Sequence, residues 1–314
     1  MNPNSESLFH FTRKEAVFKS ILKRGFRYSF AFERVPESVI DNILTRGLFK
    51  ATEDISISTY RGIAMPMVSF CDIPLIRVER HSKNYGRFAI GVKKDFLCNF
   101  YSEFINPVLY GDSDTISKAL TYISCAPGYL LKNLCSILCK DSCPNSQSDE
   151  FDLSSSNVRQ LIYNNVGCKD LFDYCIELSQ SINNLISLYK PTYSKNSNGK
   201  ILYNYDEREW RAIYPNIRDT EFQWQIGLYE CEFFDIKDSL NKALDNSEDA
   251  FIVIPGHWFN QISHIVVPTE KIVERITNYI HHSKTLFGYS DISFDQRIHL
   301  ISKITSFERI KNDY

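Results

Sequence analysis

The chain has 314 residues, 43% of them hydrophobic and 14% aromatic, with 22 Phe and 18 Tyr. That composition can bury a sizeable core and excludes a wholly disordered chain, and the length suits one large domain or two ordinary ones. The formal net charge is −2, but residues 1–100 hold 16 Lys/Arg against 10 Asp/Glu and the remainder 20 against 28, which fits an anionic ligand near the N-terminal half, although a solvated basic face is the commoner cause.

Met1 to Ser7 is polar and lacks an apolar stretch, so no secretory signal is expected. Leu8-Phe9-His10-Phe11 reads as a short buried strand. Thr12-Arg13-Lys14-Glu15 matches a capping box and opens a helix that ends at Gly25. A second short helix is expected from Pro36 to just before Gly47. Met67 to Cys71, Gly86 to Val92 and Val108 to Tyr110 read as strands. From about 115 to 195 the character changes to a helical insertion. Apolar residues recur at helical spacing in 116–140 and 168–189, around a polar run from Ser142 to Asn157. Strands resume at 200–214, 223–234, 250–254 and 263–267. Helices are expected from Ile272 to His282 and over about 293–311. The order predicts an α+β fold with a split mixed or antiparallel sheet, built as a single domain over 1–314 with C-terminal helices from about 268. No Gly-x-Gly-x-x-Gly follows a strand and no Walker A sequence is present, which argues against Rossmann or P-loop nucleotide binding.

No apolar run is long enough to span a bilayer. The nine cysteines are scattered and odd in number, so reduced thiols and a cytoplasmic location are expected. Cys135, Cys139 and Cys143 share a helix face, but no Cys-x-x-Cys or His partner lies near. They read as buried cysteines, and no metal is expected.

The most informative stretch is Tyr203 to Arg211. As a strand it would point Glu207 and Glu209 to one side with Tyr205, and Arg208 and Trp210 to the other. Paired like charges are unfavourable unless a site needs them. A site that stabilises a cationic transition state does, although a Glu-x-Glu on an edge strand is often only a solvated face.

This stretch follows Phe9-His10-Phe11-Thr12, Met67 to Leu75, His81 to Gly91 and Asn106 to Tyr110 in order. The series, spanning roughly residues 8–270, resembles the AbiGi family of bacterial abortive-infection (phage-resistance) proteins, whose customary description is antitoxin. His-x-Thr ending a first strand, a Ser-bearing strand and a late Glu-x-Glu also resemble, more remotely, the DarT-like ADP-ribosyltransferase toxins that modify nucleic-acid bases. That second resemblance implies NAD as substrate, no metal, and RNA or single-stranded DNA as acceptor. It also implies a cognate antitoxin, with or without a chaperone.

By carry-over, Glu209 would face the oxocarbenium-like centre formed when the nicotinamide–ribose bond breaks, and Glu207 would orient or deprotonate the acceptor. His10 would bond the ribose hydroxyls, Thr12 would sit near the nicotinamide pocket, Ser69 would support Glu209, and Tyr85 would stack on the nicotinamide. Arg61 stands by position for the arginine that DarT-type enzymes carry after their first helices. Arg77, Arg80, Lys83 and Arg87 would hold the pyrophosphate or an acceptor strand. Each has a plainer reading: Thr12 as an N-cap, His10 as a core histidine, Ser69 as a turn residue, Tyr85 as packing, and Arg208 and Arg211 as a surface ion network. The rival functions are a non-enzymatic antitoxin, regulatory or phage-sensing module, an NAD glycohydrolase, and a protein-modifying transferase.

Overall fold

The computed structural model describes residues 5–34, 61–100, 105–111, 185–195, 201–214, 226–247 and 249–313, with isolated positions between 119 and 181. The expected helix from Pro36, the cysteines 135, 139 and 143, and most of the 115–195 insertion lie outside these residues.

The backbone of the fold is one long strand, β4 (Arg61–Cys71). Before it come β1 (Ser7–Thr12), β2 (Phe26–Arg27) and β3 (Ser29–Arg34). After it come β5 (Phe88–Lys93), β6 (Ile105–Pro107), β7 (Leu109–Tyr110), β8 (Tyr189–Lys190), β9 (Tyr193–Lys195) and β10 (Ile201–Tyr203). The series closes with β11 (Glu209–Ile213), β12 (Ile226–Tyr229), β13 (Phe251–Ile252), β14 (Ile262–Val267) and β15 (Ile304–Ser306). Among the described residues, nine of these strands form one sheet. Its main path runs β15-β14-β5-β1-β4-β11-β6, with β3 and β12 also paired to β4. All pairs in it are antiparallel except β14 with β15. The sheet is therefore mixed and the class α+β, as expected.

β4 changes partners along its length. β12 pairs with residues 61–64 and β11 with residues 67–71, while β3 pairs with 62–67 and β1 meets only Cys71. Pro66, which cannot donate a ladder hydrogen bond, falls in the gap between β12 and β11. On that edge the partner of β4 changes from β12 to β11, while β3 runs past Pro66 on the other edge.

One face carries the main core. Leu8, Phe30, Phe70, Ile90, Val92 and Ala212 from the strands pack there with helix residues. The helical partners are Phe18, Ile21 and Leu22 of α1 (Glu15–Arg24), after which come α2 (Val78–Tyr85) and α3 (Lys94–Phe100). Phe233 and Leu244 come from α4 (Glu230–Asp245), Ile276 and Ile280 from α5 (Glu270–His282), and Leu300 from α6 (Phe294–Ser302). The second face is broken into smaller groups. Ile63, Met65 and Met67 meet Ile186 and Tyr189. Phe9, Ala89 and Val266 meet Phe11, Leu75 and, from α7 (Phe307–Asp313), Phe307 and Ile310. Strand registers put Ser69 opposite Arg211 and Cys71 opposite Glu209, so these residues fall on the second face, between the two apolar groups.

Several local expectations are corrected. Thr12 is still in the sheet, paired with Phe88, so α1 starts at Glu15 with Lys14 at its N-cap and no side-chain cap. Tyr203 to Arg211 is not one strand. Asn204–Glu207 forms a 3-10 turn, and Arg208 takes a left-handed conformation (φ 43°, ψ 52°) before β11 begins. Residues 230–234 are helical, because Glu232 reaches back to the Tyr229 N–H (2.8 Å) and closes a capping box. The last expected helix is broken by β15, which pairs parallel with β14.

Gly86, between α2 and β5, has φ +110°, and a Cβ there would lie 2.3 Å from the Thr12 carbonyl oxygen. Both the backbone conformation and the close approach exclude a side chain. Gly86→Ala is expected to destabilise the protein by about 1–3 kcal/mol, read as a lower urea midpoint with an unchanged slope.

Candidate functional site

Ionisable side chains converge where β4 and β11 face the segment 185–190. Glu209 opens β11 and is almost wholly buried, at 6% exposure, and Arg211, two residues on along the same face, is at 0%. Arg211 Nε donates to Glu209 Oε1 (3.0 Å), Nη1 to the Ser187 carbonyl (2.7 Å), and Nη2 pairs with Glu33 Oε1 (2.8 Å). Lys190 Nζ bridges Glu207 Oε2 and Glu209 Oε2, at 2.8 Å each. Ser69 Oγ donates to Glu209 Oε1 (2.8 Å) from the neighbouring strand. The Glu209 N–H donates to the Tyr110 hydroxyl (2.9 Å), and the Tyr85 hydroxyl donates to Glu207 Oε1. Three carboxylates thus share two cations in a largely water-excluded space.

Electrostatics follow from that packing. Burial opposes a charge on Glu209, but Arg211 and Lys190 outweigh it and hold its carboxyl down at about 2. Glu209 is ionised at neutral pH. For Glu33 burial wins, and its carboxyl is raised despite Arg211 and Lys190. Burial also works against the Lys190 ammonium, yet Glu209, Glu207 and Glu33 together raise its pKa. The Tyr85 hydroxyl is raised by burial and then by Glu207, so it is a hydrogen-bond donor and not a base.

A thiol–imidazole pair lies alongside, with Cys71 Sγ 3.0 Å from His81 Nε2. Burial pushes the Cys71 thiol up, and the charges of Glu209 and Glu207 push it further. Burial pulls the His81 imidazole down to about 4. Both groups are held neutral, which is the reverse of what an activated cysteine nucleophile needs. His81 instead stacks on Tyr85 (4.4 Å, 20°) and tilts against Phe11 (4.8 Å), which fixes Tyr85 over Glu207.

The structure brings together Glu209, Glu207, Ser69 and Tyr85. Glu207 and Glu209 reach the same lysine, although a turn residue and a strand residue carry them rather than one strand. Thr12 lies nearby, lining with Asn84 and Tyr85 a shallow hollow of about 460 Å³. His10 is not brought in. Because strand neighbours point to opposite faces, its ring turns into the main core, edge-on to Phe26 and Phe70 (5.5 and 5.8 Å). There Nδ1–H donates to the Ser69 carbonyl (2.9 Å), and burial lowers the imidazole pKa. Arg61 starts β4, eight residues before Ser69, or roughly 27 Å along an extended strand. Arg77, Lys83 and Arg87 are exposed on and around α2, and Arg80 lies within that helix. Arg211 is no surface ion-pair residue.

Sequence reasoning missed Lys190 and Glu33 altogether, since neither lies in a motif, and did not assign Cys71, His81 or Tyr110, which do. Among the described residues no group of three or more His, Cys, Asp or Glu could hold a metal ion, and no helix is long and apolar enough to cross a membrane.

The family described as "Putative abortive phage resistance protein AbiGi, antitoxin" matches residues 46–252, well over half of the chain. The chain belongs to the AbiGi family. Its similarity to the abortive phage resistance protein AbiGi of Lactococcus lactis subsp. cremoris is 27% identity over 259 residues, covering 80% of this chain and 89% of the relative. No solved structure matches the chain. The AbiGi match takes in Ser69, Tyr85, Lys190, Glu207, Glu209 and Arg211, and leaves out Glu33 and His10.

Two outcomes are expected from the cluster. Arg211→Met leaves Glu209 and Glu33 buried without their shared cation and should cost about 3–5 kcal/mol in chemical denaturation. His81 has a folded-state pKa of about 4 against an ordinary 6.5. Its contribution to stability is therefore complete above pH 6.5 and is lost as pH falls towards 4, about 3 kcal/mol in all. His81→Phe should flatten the stability–pH slope across that window, as read by urea midpoints at a series of pH values.

Proposed function

We propose that this AbiGi protein acts in abortive phage resistance as an ADP-ribosyltransferase, cleaving NAD at the nicotinamide–ribose bond and transferring ADP-ribose to nucleic acid. The observation that carries the reading is the Ser69–Glu209 hydrogen bond between neighbouring strands, with Glu207 sharing Lys190 beside it. That is the support such chemistry asks of its central carboxylate.

In this reading NAD enters as substrate. Its C1′–N bond breaks, nicotinamide leaves as a neutral base with the bonding electrons, and positive charge develops on the ribose. Glu209, ionised and fixed by Ser69 and Arg211, faces that charge and accepts a hydrogen bond from the 2′-hydroxyl. The acceptor nucleophile bonds to C1′ and gives its proton to Glu207. Tyr85 keeps Glu207 in place. Lys190 now occupies Oε2 of both carboxylates, so the incoming ribose must take over its hydrogen bond to Glu209. His10 has no place in this scheme, because its ring faces the core.

The test uses purified protein, radiolabelled NAD and separate pools of RNA, denatured DNA and protein. Label in a nucleic-acid pool that falls at least 100-fold in Glu209→Gln is expected, the scale of losing one transition-state electrostatic contact. NAD loss without labelled product would point to a glycohydrolase, and label confined to protein to a protein-modifying transferase.

A second reading has a specific observation behind it. Both oxygens of Glu209 are already paired, and the family's description includes the word antitoxin. A non-enzymatic antitoxin or sensing module would keep the cluster as a structural brace. Expressed alone, such a protein leaves growth unaffected, whereas an unpartnered toxin arrests it and is relieved by a cognate antitoxin.

A further inference from the structure

Beside the carboxylates lies a pocket of about 470 Å³ whose walls are apolar and aromatic, including Leu109, Tyr110, Leu185, Tyr189 and Tyr205. Its wall and the Glu209 backbone are in direct contact, through the Glu209 N–H to Tyr110 hydroxyl bond. Tyr110 and Tyr205 meet edge to face (5.5 Å, 75°). Tyr189 is buried beneath, with its hydroxyl donating to the Gly111 carbonyl. Tyr205, in contrast, is 58% exposed although it lies in the 3-10 turn that carries Glu207. The volume falls within the range that encloses a small organic ligand, and the tyrosine faces suit a flat ring.

The surface outside the pocket continues the pattern. Tyr85, bonded to Glu207 itself, is exposed, and so is Tyr203, just ahead of the Glu207 turn in sequence. Lys83 and Arg87, each two residues from Tyr85 along the chain, are exposed cations. Exposed aromatic rings beside the carboxylates, with exposed cations on the neighbouring helix and its exit, are what a single strand needs: rings to stack its bases and ammonium or guanidinium groups for its phosphates. A free nucleotide would use the pocket alone and leave this outer strip without purpose. A duplex keeps its bases stacked inside, so the base that enters must be unpaired.

We propose that the Tyr110–Tyr205 pocket receives an unpaired base of a single-stranded nucleic acid, whose neighbouring nucleotides run out over the exposed Tyr205 and Tyr85. This rests on the transferase reading only in naming that base as the acceptor. The binding itself stands apart and is measured without NAD.

The experiment is fluorescence anisotropy of the full chain with end-labelled single-stranded DNA and RNA homopolymers of about a dozen nucleotides, against a duplex of equal length. At least one single strand should bind, with the duplex at least tenfold weaker. Tyr205→Ala should weaken the single strand about tenfold or more, the loss of one stacking platform, and Tyr205→Trp should retain binding. Absence of single-strand binding at high micromolar protein, equal affinity for the duplex, or no effect of Tyr205→Ala would overturn the inference. Base binding with no transfer from NAD would leave it standing and remove the transferase reading instead.

Discussion

The guanidinium of Arg211 is the element on which this structure depends. It is fully buried in β11 and can remain charged there only because Glu209, Glu33 and the Ser187 carbonyl all point at it. Those three partners come from β11, β3 and the segment leading into β8. One side chain therefore ties together the β4–β11 pair, the neighbouring β3 edge and the end of the insertion. Without that charge these pieces rely on the β3 and β11 ladders with β4, on Lys190 and on the small apolar group of Ile63, Met65, Met67, Ile186 and Tyr189.

The same arrangement sets the electrostatics. A buried carboxyl with no cation nearby would stay protonated. Arg211 and Lys190 keep Glu209 ionised, Ser69 fixes its direction, and the neutral Cys71–His81 pair supports Tyr85 over Glu207. The cations differ in commitment. Arg211 is enclosed, whereas the Lys190 side chain keeps 17% exposure and sits on a strand of two residues that, among the described residues, pairs with β7. In the proposed reaction Lys190 is the partner that yields to the ribose. A site ready for a ribose hydroxyl and a cluster that only braces the fold share this geometry, and they differ in whether Lys190 gives way.

Much of this was legible in sequence where the period-two pattern was strong. β1, the Met67–Cys71 half of β4, β5 and β14 fall where alternation or a buried run puts them, and Ser69 and Glu209 meet as the motif order implies. The failures have physical causes. The Glu207–Glu209 spacing looks like one strand, but a left-handed Arg208 lies between the two, and no local pattern marks it. His10 belongs to the correct strand and the wrong face, a parity that only the register with Gly91 and Cys71 decides. Arg61 shares a strand with Ser69, yet strand length keeps the two apart. Lys190 and Glu33 were invisible because they reach the site through tertiary packing, across 19 residues in one case and more than 170 in the other.

The most direct test of the central claim is a crystal structure with carba-NAD, whose nicotinamide bond cannot be cleaved. The account predicts the nicotinamide ribose beside Glu209, its 2′-hydroxyl within hydrogen-bonding distance of the carboxylate, and Lys190 withdrawn from that oxygen. Lys190 still bridging Glu207 and Glu209 at saturating analogue, with the ribose absent or bound elsewhere, would contradict it and leave the cluster as a brace.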